Sequence, residues 1–137
     1  MNKKIAVIGL GYVGLPLAAA FSQKYTVLAY DNDSKRVGEL NNGWDQIEQL
    51  AKADLIELQG RLTFSDDPES LSECSTYIIT VPTPVTSDKK PNLSFLMEAS
   101  KTVGKFLKKE IQSFMKVPFI QDVLKRTVFQ FWKKLQD

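Results

Sequence analysis

The sequence predicts an α/β protein built on a doubly wound parallel sheet. Short β-branched runs recur at residues 4–8, 26–30 and 77–81, and unbroken apolar runs of this length suit strands buried on both faces of a parallel sheet. Segments with helical apolar spacing lie between them, giving the strand–helix alternation of that class. A glycine-rich turn, Gly9-Leu10-Gly11-Tyr12-Val13-Gly14, follows the first run directly.

The elements follow in order. After the turn, Leu15, Leu17, Ala18, Ala19, Ala20 and Phe21 predict a helix, with Pro16 in its first turn where a missing N–H costs little. The second strand, 26–30, ends at Asp31. Residues 33–41 predict a second helix capped by Asp33 or Ser34 and closed by Asn41-Asn42-Gly43. Ile47, Leu50, Ala51, Leu55 and Leu58 predict a third helix over 46–58. Leu62–Phe64 is a short strand, and Asp67-Pro68 opens a short helix around Glu69–Leu71. The strand 77–81 must end at Pro82-Thr83-Pro84, because neither proline serves a central strand. A helix over 94–109 carries Leu96, Ala99, Val103, Phe106 and Leu107 on one side. The expected strand order begins 3-2-1-4.

Composition narrows the function. The 137 residues suit one domain, and 43% apolar with 25% charged residues is ordinary for a globular chain. A net charge of +2 gives no footprint for nucleic acid. The chain has no histidine, which excludes Ser-His or Cys-His pairs within it. Cys74 is the single cysteine; it precedes a buried strand without a basic cluster and reads as a small hydrophobe. A lone thiol and no membrane-length apolar stretch point to the cytoplasm, with no membrane partner. No metal-ligand cluster stands out.

The glycine-rich turn has the context that a dinucleotide site requires: a buried strand before it, a helix after it, and an acid ending the next strand. Gly9 permits the tight turn, Gly11 lets the backbone approach a pyrophosphate, and Gly14 lets helix and strand pack closely. The helix start offers free N–H groups to phosphate. Asp31 lies 22 residues after Gly9, where a ribose-binding acid is expected. Its charge favours NAD over NADP. Arg36 argues the other way, since an arginine near the ribose can accommodate a 2′-phosphate. The fold expected is therefore of Rossmann type, with NAD as cofactor.

Two motifs in this order resemble a known family. Residues 4–18, KIAVIGLGYVGLPLA, and residues 77–85, YIITVPTPV, followed by Asp88, Lys90, Pro91 and Leu93, resemble the N-terminal domain of the UDP-glucose/GDP-mannose dehydrogenases. Pro82 before Thr83 is more similar to the branch acting on UDP-N-acetylhexosamines. The resemblance covers residues 3–109. It implies NAD-dependent oxidation of a sugar C6 alcohol to a carboxylate, in surface polysaccharide synthesis, by full-length members that oligomerise. It implies that Tyr12 and Val13 meet the pyrophosphate by backbone, that Asp31 and Arg36 hold the adenosine ribose, and that Thr83 lies near the cofactor. Thr83 also reads simply as a turn residue between prolines. The family's catalytic cysteine and its assisting Lys, Asn and Asp lie beyond this length, so no catalytic residue is expected here, and a UDP-sugar is a partner only of a full-length enzyme.

After Lys109 the resemblance stops. Residues 1–110 are expected to be a truncated NAD-binding domain, with the sheet incomplete on its C-terminal side, and residues 111–137 an atypical tail. Allowed codons from Gln112 onward, read from the last base of each codon, can encode VIYESTVYPGC, a run the family shows at this place. The same shift applied to Leu124–Lys134 can give TEENCVPVLEK. The tail is therefore expected to be out of frame. The alternative is a real segment: Leu124, Val128, Phe131 and Leu135 at helical spacing, with Lys125, Arg126, Lys133 and Lys134 beside them. That pattern suits a non-catalytic module docking on a membrane or partner.

Overall fold

The computed structural model describes residues 4–107. The readings made for 111–137, and for the last residues of the helix expected to end at 109, lie outside the described residues.

Four parallel strands form one sheet in the order β3-β2-β1-β4. They are β1 (Lys4–Ile8), β2 (Thr26–Tyr30), β3 (Leu62–Ser65) and β4 (Thr76–Ile79). The chain builds outward from β1 to β3, then returns to place β4 on the other side of β1. Register is regular: Ile8 pairs with Tyr30 on one side and Ile79 on the other.

The strands are buried on both faces, as their lack of polar alternation demands. Ile5, Val7, Val27, Ala29 and Ile78 pack against Leu15 and Ala18 of helix α1 (Gly14–Ser22) and Leu40 of helix α2 (Ser34–Asn41). Ala6, Ile8, Leu28, Tyr77 and Ile79 pack on the opposite face against Leu96, Ala99 and Val103. Those three residues lie on the last described helix, Ser94–Gly104, and Leu71 joins them from a 3-10 helix, Pro68–Glu73. Tyr77 is fully enclosed there, its hydroxyl within 2.8 Å of the Leu71 carbonyl and 2.9 Å of the Cys74 carbonyl.

Asp33 is the cap of α2: its carboxylate accepts the N–H groups of Lys35 and Arg36. Three boundaries differ from the sequence expectation. The helix expected over 46–58 is only Lys52–Glu57, here α3. The buried Asp45 carboxylate takes the N–H groups of Ile47, Gln49 and Leu50, offering the backbone an alternative to helix. Glu48 has a φ of 51°, which no right-handed helix tolerates. The strand expected over 77–81 is Thr76–Ile79, since Thr80 turns its hydroxyl onto the chain after β1 and Pro82 lacks a donor. The last helix, α4, closes at Gly104, a poor helix residue.

Candidate dinucleotide site

A groove of about 380 Å³ opens at the carboxyl ends of β1, β2 and β4. This is the place where the strand order reverses, and open α/β sheets bind ligands at such a crevice. Its wall combines Gly9, Gly11 and Tyr12 from the glycine-rich turn, Asp31 and Arg36 from the β2–α2 region, and Val81 and Pro82 after β4.

The three glycines have three separate reasons to be glycine. Gly9 has a φ of +98°, and a Cβ there would stand 3.0 Å from the Thr80 and Val81 backbone. At Gly14 a Cβ would overlap the Gly9 carbonyl and stand 2.5 Å from the Thr80 hydroxyl. At Gly11 a Cβ meets nothing within 4 Å. The space in front of Gly11 is open groove, and only a ligand close to the backbone would need it kept clear. The N–H groups of Gly11, Tyr12 and Val13 have no partner among the described residues. Together they form an anion-ready helix start, with the backbone of α1 behind it. This donor set fits the pyrophosphate of a dinucleotide. Tyr12 is exposed and lines the groove, whereas Val13 is exposed and does not line it.

Asp31 is fixed from two sides. One carboxylate oxygen accepts the N–H of Leu10 at 2.8 Å, the other the N–H of Asp33 at 3.0 Å. It therefore ties the glycine turn to the end of β2. Each oxygen keeps lone-pair capacity for a ribose hydroxyl. Tyr30 reports the local field: burial raises its hydroxyl pKa most, and the charges of Asp31 and Glu98 raise it further.

Arg36 also lines the groove, but its side chain is turned to structural work. Nε donates to the Leu10 carbonyl at 3.0 Å. Nη2 lies 2.7 Å from an Asp45 oxygen. Of the remaining expected site residues, Thr83 is half-buried in the proline loop and does not line the groove, while its neighbours Val81 and Pro82 do.

Several wall residues were not legible from sequence. Phe95, Glu98, Ala99 and Thr102 reach the groove from α4, and Ile47 from the loop before α3. Thr80 is buried, with its hydroxyl donating to the Gly9 carbonyl at 2.8 Å, so β4 braces the turn. The period of α4 signalled its core face, but nothing local indicated which residue on the flank would meet a ligand. Cys74 lies away from the groove among core residues, and burial pushes its thiol up to about 11, against a smaller opposing effect of Lys4. It is inert, as the sequence implied. No group of metal-ligating side chains occurs among the described residues, and no described helix is long and apolar enough to cross a membrane.

Comparison with known proteins agrees with this geometry. Residues 3–119 match the UDP-glucose/GDP-mannose dehydrogenase family, NAD binding domain. The chain is 44% identical over 106 residues to UDP-N-acetyl-D-glucosamine 6-dehydrogenase of Pseudomonas aeruginosa, which covers 77% of this chain and 25% of that protein. Its namesake from Salmonella typhi is 47% identical over 104 residues, 76% of this chain and 24% of that one. Among solved structures, UDP-D-ManNAc dehydrogenase from Pyrococcus horikoshii matches with a TM-score of 0.87 at 31% identity, over 97% of this chain and 32% of that one. The chain thus spans about a quarter of the length of the curated relatives it matches. The cofactor of the matched domain is NAD. With its motifs, its groove and its relatives in agreement, the chain belongs to the UDP-glucose/GDP-mannose dehydrogenase family and carries that family's NAD-binding domain.

Proposed function

We propose that this chain is the cofactor-holding portion of a nucleotide-sugar 6-dehydrogenase of the UDP-N-acetylhexosamine type, serving surface polysaccharide synthesis in the cytoplasm. One observation carries the reading: partnerless N–H groups at Gly11, Tyr12 and Val13 share a groove with the carboxylate of Asp31. When bound, NAD supplies the hydride acceptor for alcohol oxidation. The chain's own residues bind and orient it. The turn's N–H groups receive the pyrophosphate, and Gly9 and Gly14 keep that turn tight. Asp31 accepts the hydroxyls of the adenosine ribose. Arg36 holds the Leu10 carbonyl, and so the rim of the same subsite. In this reading Thr83 lies near the cofactor, on the loop whose Val81 and Pro82 wall the groove. Among the described residues no cysteine lines the groove, and the chain's one thiol, Cys74, is buried elsewhere. The chain alone therefore binds NAD without oxidising a sugar. In the same reading residues 111–137 are an out-of-frame continuation; a gene whose codons forbid the shifted reading overturns that part.

The test is titration of the purified full chain with NAD and NADP, alongside an NADH absorbance assay with UDP-GlcNAc, UDP-GalNAc and UDP-glucose. NAD binding with no NADH produced is the expected result. Asp31→Ala is expected to weaken NAD about tenfold to a hundredfold, as loss of hydrogen bonds to a charged acceptor implies, and to weaken NADP less. Failure to bind NAD, or a preference for NADP, overturns the reading of the groove. Steady turnover overturns the claim of inactivity.

A further inference from the structure

The guanidinium of Arg36 lies at the ribose end of the groove, where a cation would draw in a 2′-phosphate. Two carboxylates stand against it. Asp45 Oδ1 is 2.7 Å from Nη2, and Glu39 Oε2 is 4.0 Å from Nη1. The Asp45 side chain is 0% exposed, and those of Arg36 and Glu39 are 11% and 10% exposed. Asp45 does not depend on Arg36 for its position. Its two oxygens accept the N–H groups of Ile47 at 3.2 Å, Gln49 at 2.7 Å and Leu50 at 3.0 Å. A carboxylate anchored by three backbone donors holds its charge in one place. Neither Nη of Arg36 has an aligned hydrogen-bond acceptor among the described residues. The guanidinium is therefore neutralised by charge, while its Nε is held by the Leu10 carbonyl.

We propose that Asp45 is a specificity-determining residue that acts through Arg36: it cancels the cation that, among the described residues, lines the ribose end of the groove, and so sets the preference for NAD over NADP. Asp31 repels the 2′-phosphate directly, and Asp45 removes the attraction that would offset that repulsion. The inference rests on the reading of the groove as the NAD site, and deepens it. An arginine at this place does not by itself signal NADP, because the carboxylate behind it decides whether its charge is available.

Asp45→Asn is the informative variant. Its amide oxygen can still accept from the Gln49 and Leu50 N–H groups, while the charge facing Arg36 is gone. Dissociation constants for NAD and NADP are measured on the full chain carrying no change, Asp45→Asn, Arg36→Gln, or both. The expected result is a shift of the NADP-to-NAD ratio towards NADP by about threefold to tenfold, the size of one modest charged contact. The shift is expected to vanish in the Arg36→Gln background, which a purely structural role for Asp45 would not produce. An unchanged ratio in a variant with intact circular dichroism overturns the proposal, as does an equal shift without Arg36. If Asp45→Asn does not fold, Glu39→Gln decides: a smaller shift in the same direction supports the proposal, and none overturns it. A wild-type chain that binds no NAD overturns the groove reading itself, whereas NAD binding with an unmoved ratio overturns this inference alone.

Discussion

Two glycines three residues apart in the same turn, Gly11 and Gly14, answer to different forces, and a methyl group distinguishes them. At Gly14 an added Cβ collides with the Gly9 carbonyl, which is rigid backbone. At Gly11 it enters open groove. Gly14→Ala is therefore expected to destabilise the fold by about 1–3 kcal/mol through overpacking, to lower the melting temperature sharply and to abolish NAD binding with it. Gly11→Ala is expected to leave the melting temperature nearly unchanged and still weaken NAD at least tenfold, because the methyl occupies the space the pyrophosphate needs. Thermal melts and titrations on both variants check this; equal loss of stability in the two would refute the separation of roles. Both glycines and Asp31 were legible in the sequence because their spacing is local to one strand–turn–helix unit and the next strand. Asp45 was not. A single acid between Trp44 and Gln46 looks like surface, and the partner it meets, Arg36, lies nine positions back on another element.

The loop before α3 shows what apolar spacing cannot decide at the scale of an element. Ile47, Leu50, Leu55 and Leu58 have helical spacing, yet only Lys52–Glu57 is helix. Leu50 and Leu58 do pack on the core, so the spacing located apolar contacts correctly while misreading the backbone between them. A carboxylate collecting three N–H groups wins over the helix there. That carboxylate gives the loop an acid sensitivity. Burial alone would raise the Asp45 pKa, but the Arg36 side chain and the Leu50 and Gln49 N–H groups outweigh it and lower it below 3.8. A depressed folded pKa means stabilisation that is complete above the unfolded value and lost as pH falls through the folded one. Asp45→Asn is accordingly expected to cost about 1–3 kcal/mol near pH 7, the range for an impaired buried polar contact. The gap between wild type and variant should close below about pH 4, near the ordinary value for this side chain. Urea melts of both chains from pH 7 to pH 3 check it, and a gap constant with pH would show that the loop is held by something other than this charge. By contrast, α2 was legible to within a residue, because a cap at Asp33 or Ser34 is a local signal that needs no partner from elsewhere.

On the scale of the whole molecule, the order β3-β2-β1-β4 was readable because alternating strands and helices, with right-handed crossovers, leave few other arrangements. The groove's far wall was not, because α4 reaches it only once the chain has crossed the sheet and packed against the opposite face. The groove is thus assembled from both layers of the fold. The glycine turn and α1 belong to one layer, while Phe95, Glu98 and Thr102 belong to the other. A ligand that binds only this assembled state must stabilise the whole domain by mass action. At a free concentration one hundred times its dissociation constant, the gain is about 2.7 kcal/mol. For a domain of this size, each kcal/mol corresponds to roughly 4–8 °C in melting temperature. Saturating NAD is therefore expected to raise the melting temperature of the full chain by about 10 °C or more. NADP at the same concentration should raise it far less, since Asp31 repels its extra phosphate and Arg36 is already neutralised. Differential scanning fluorimetry with graded NAD and NADP measures both curves. A melting temperature that does not respond to NAD would mean that the groove is not the binding site of the folded domain, and equal responses to the two dinucleotides would mean that the acids around the ribose subsite do not discriminate between them.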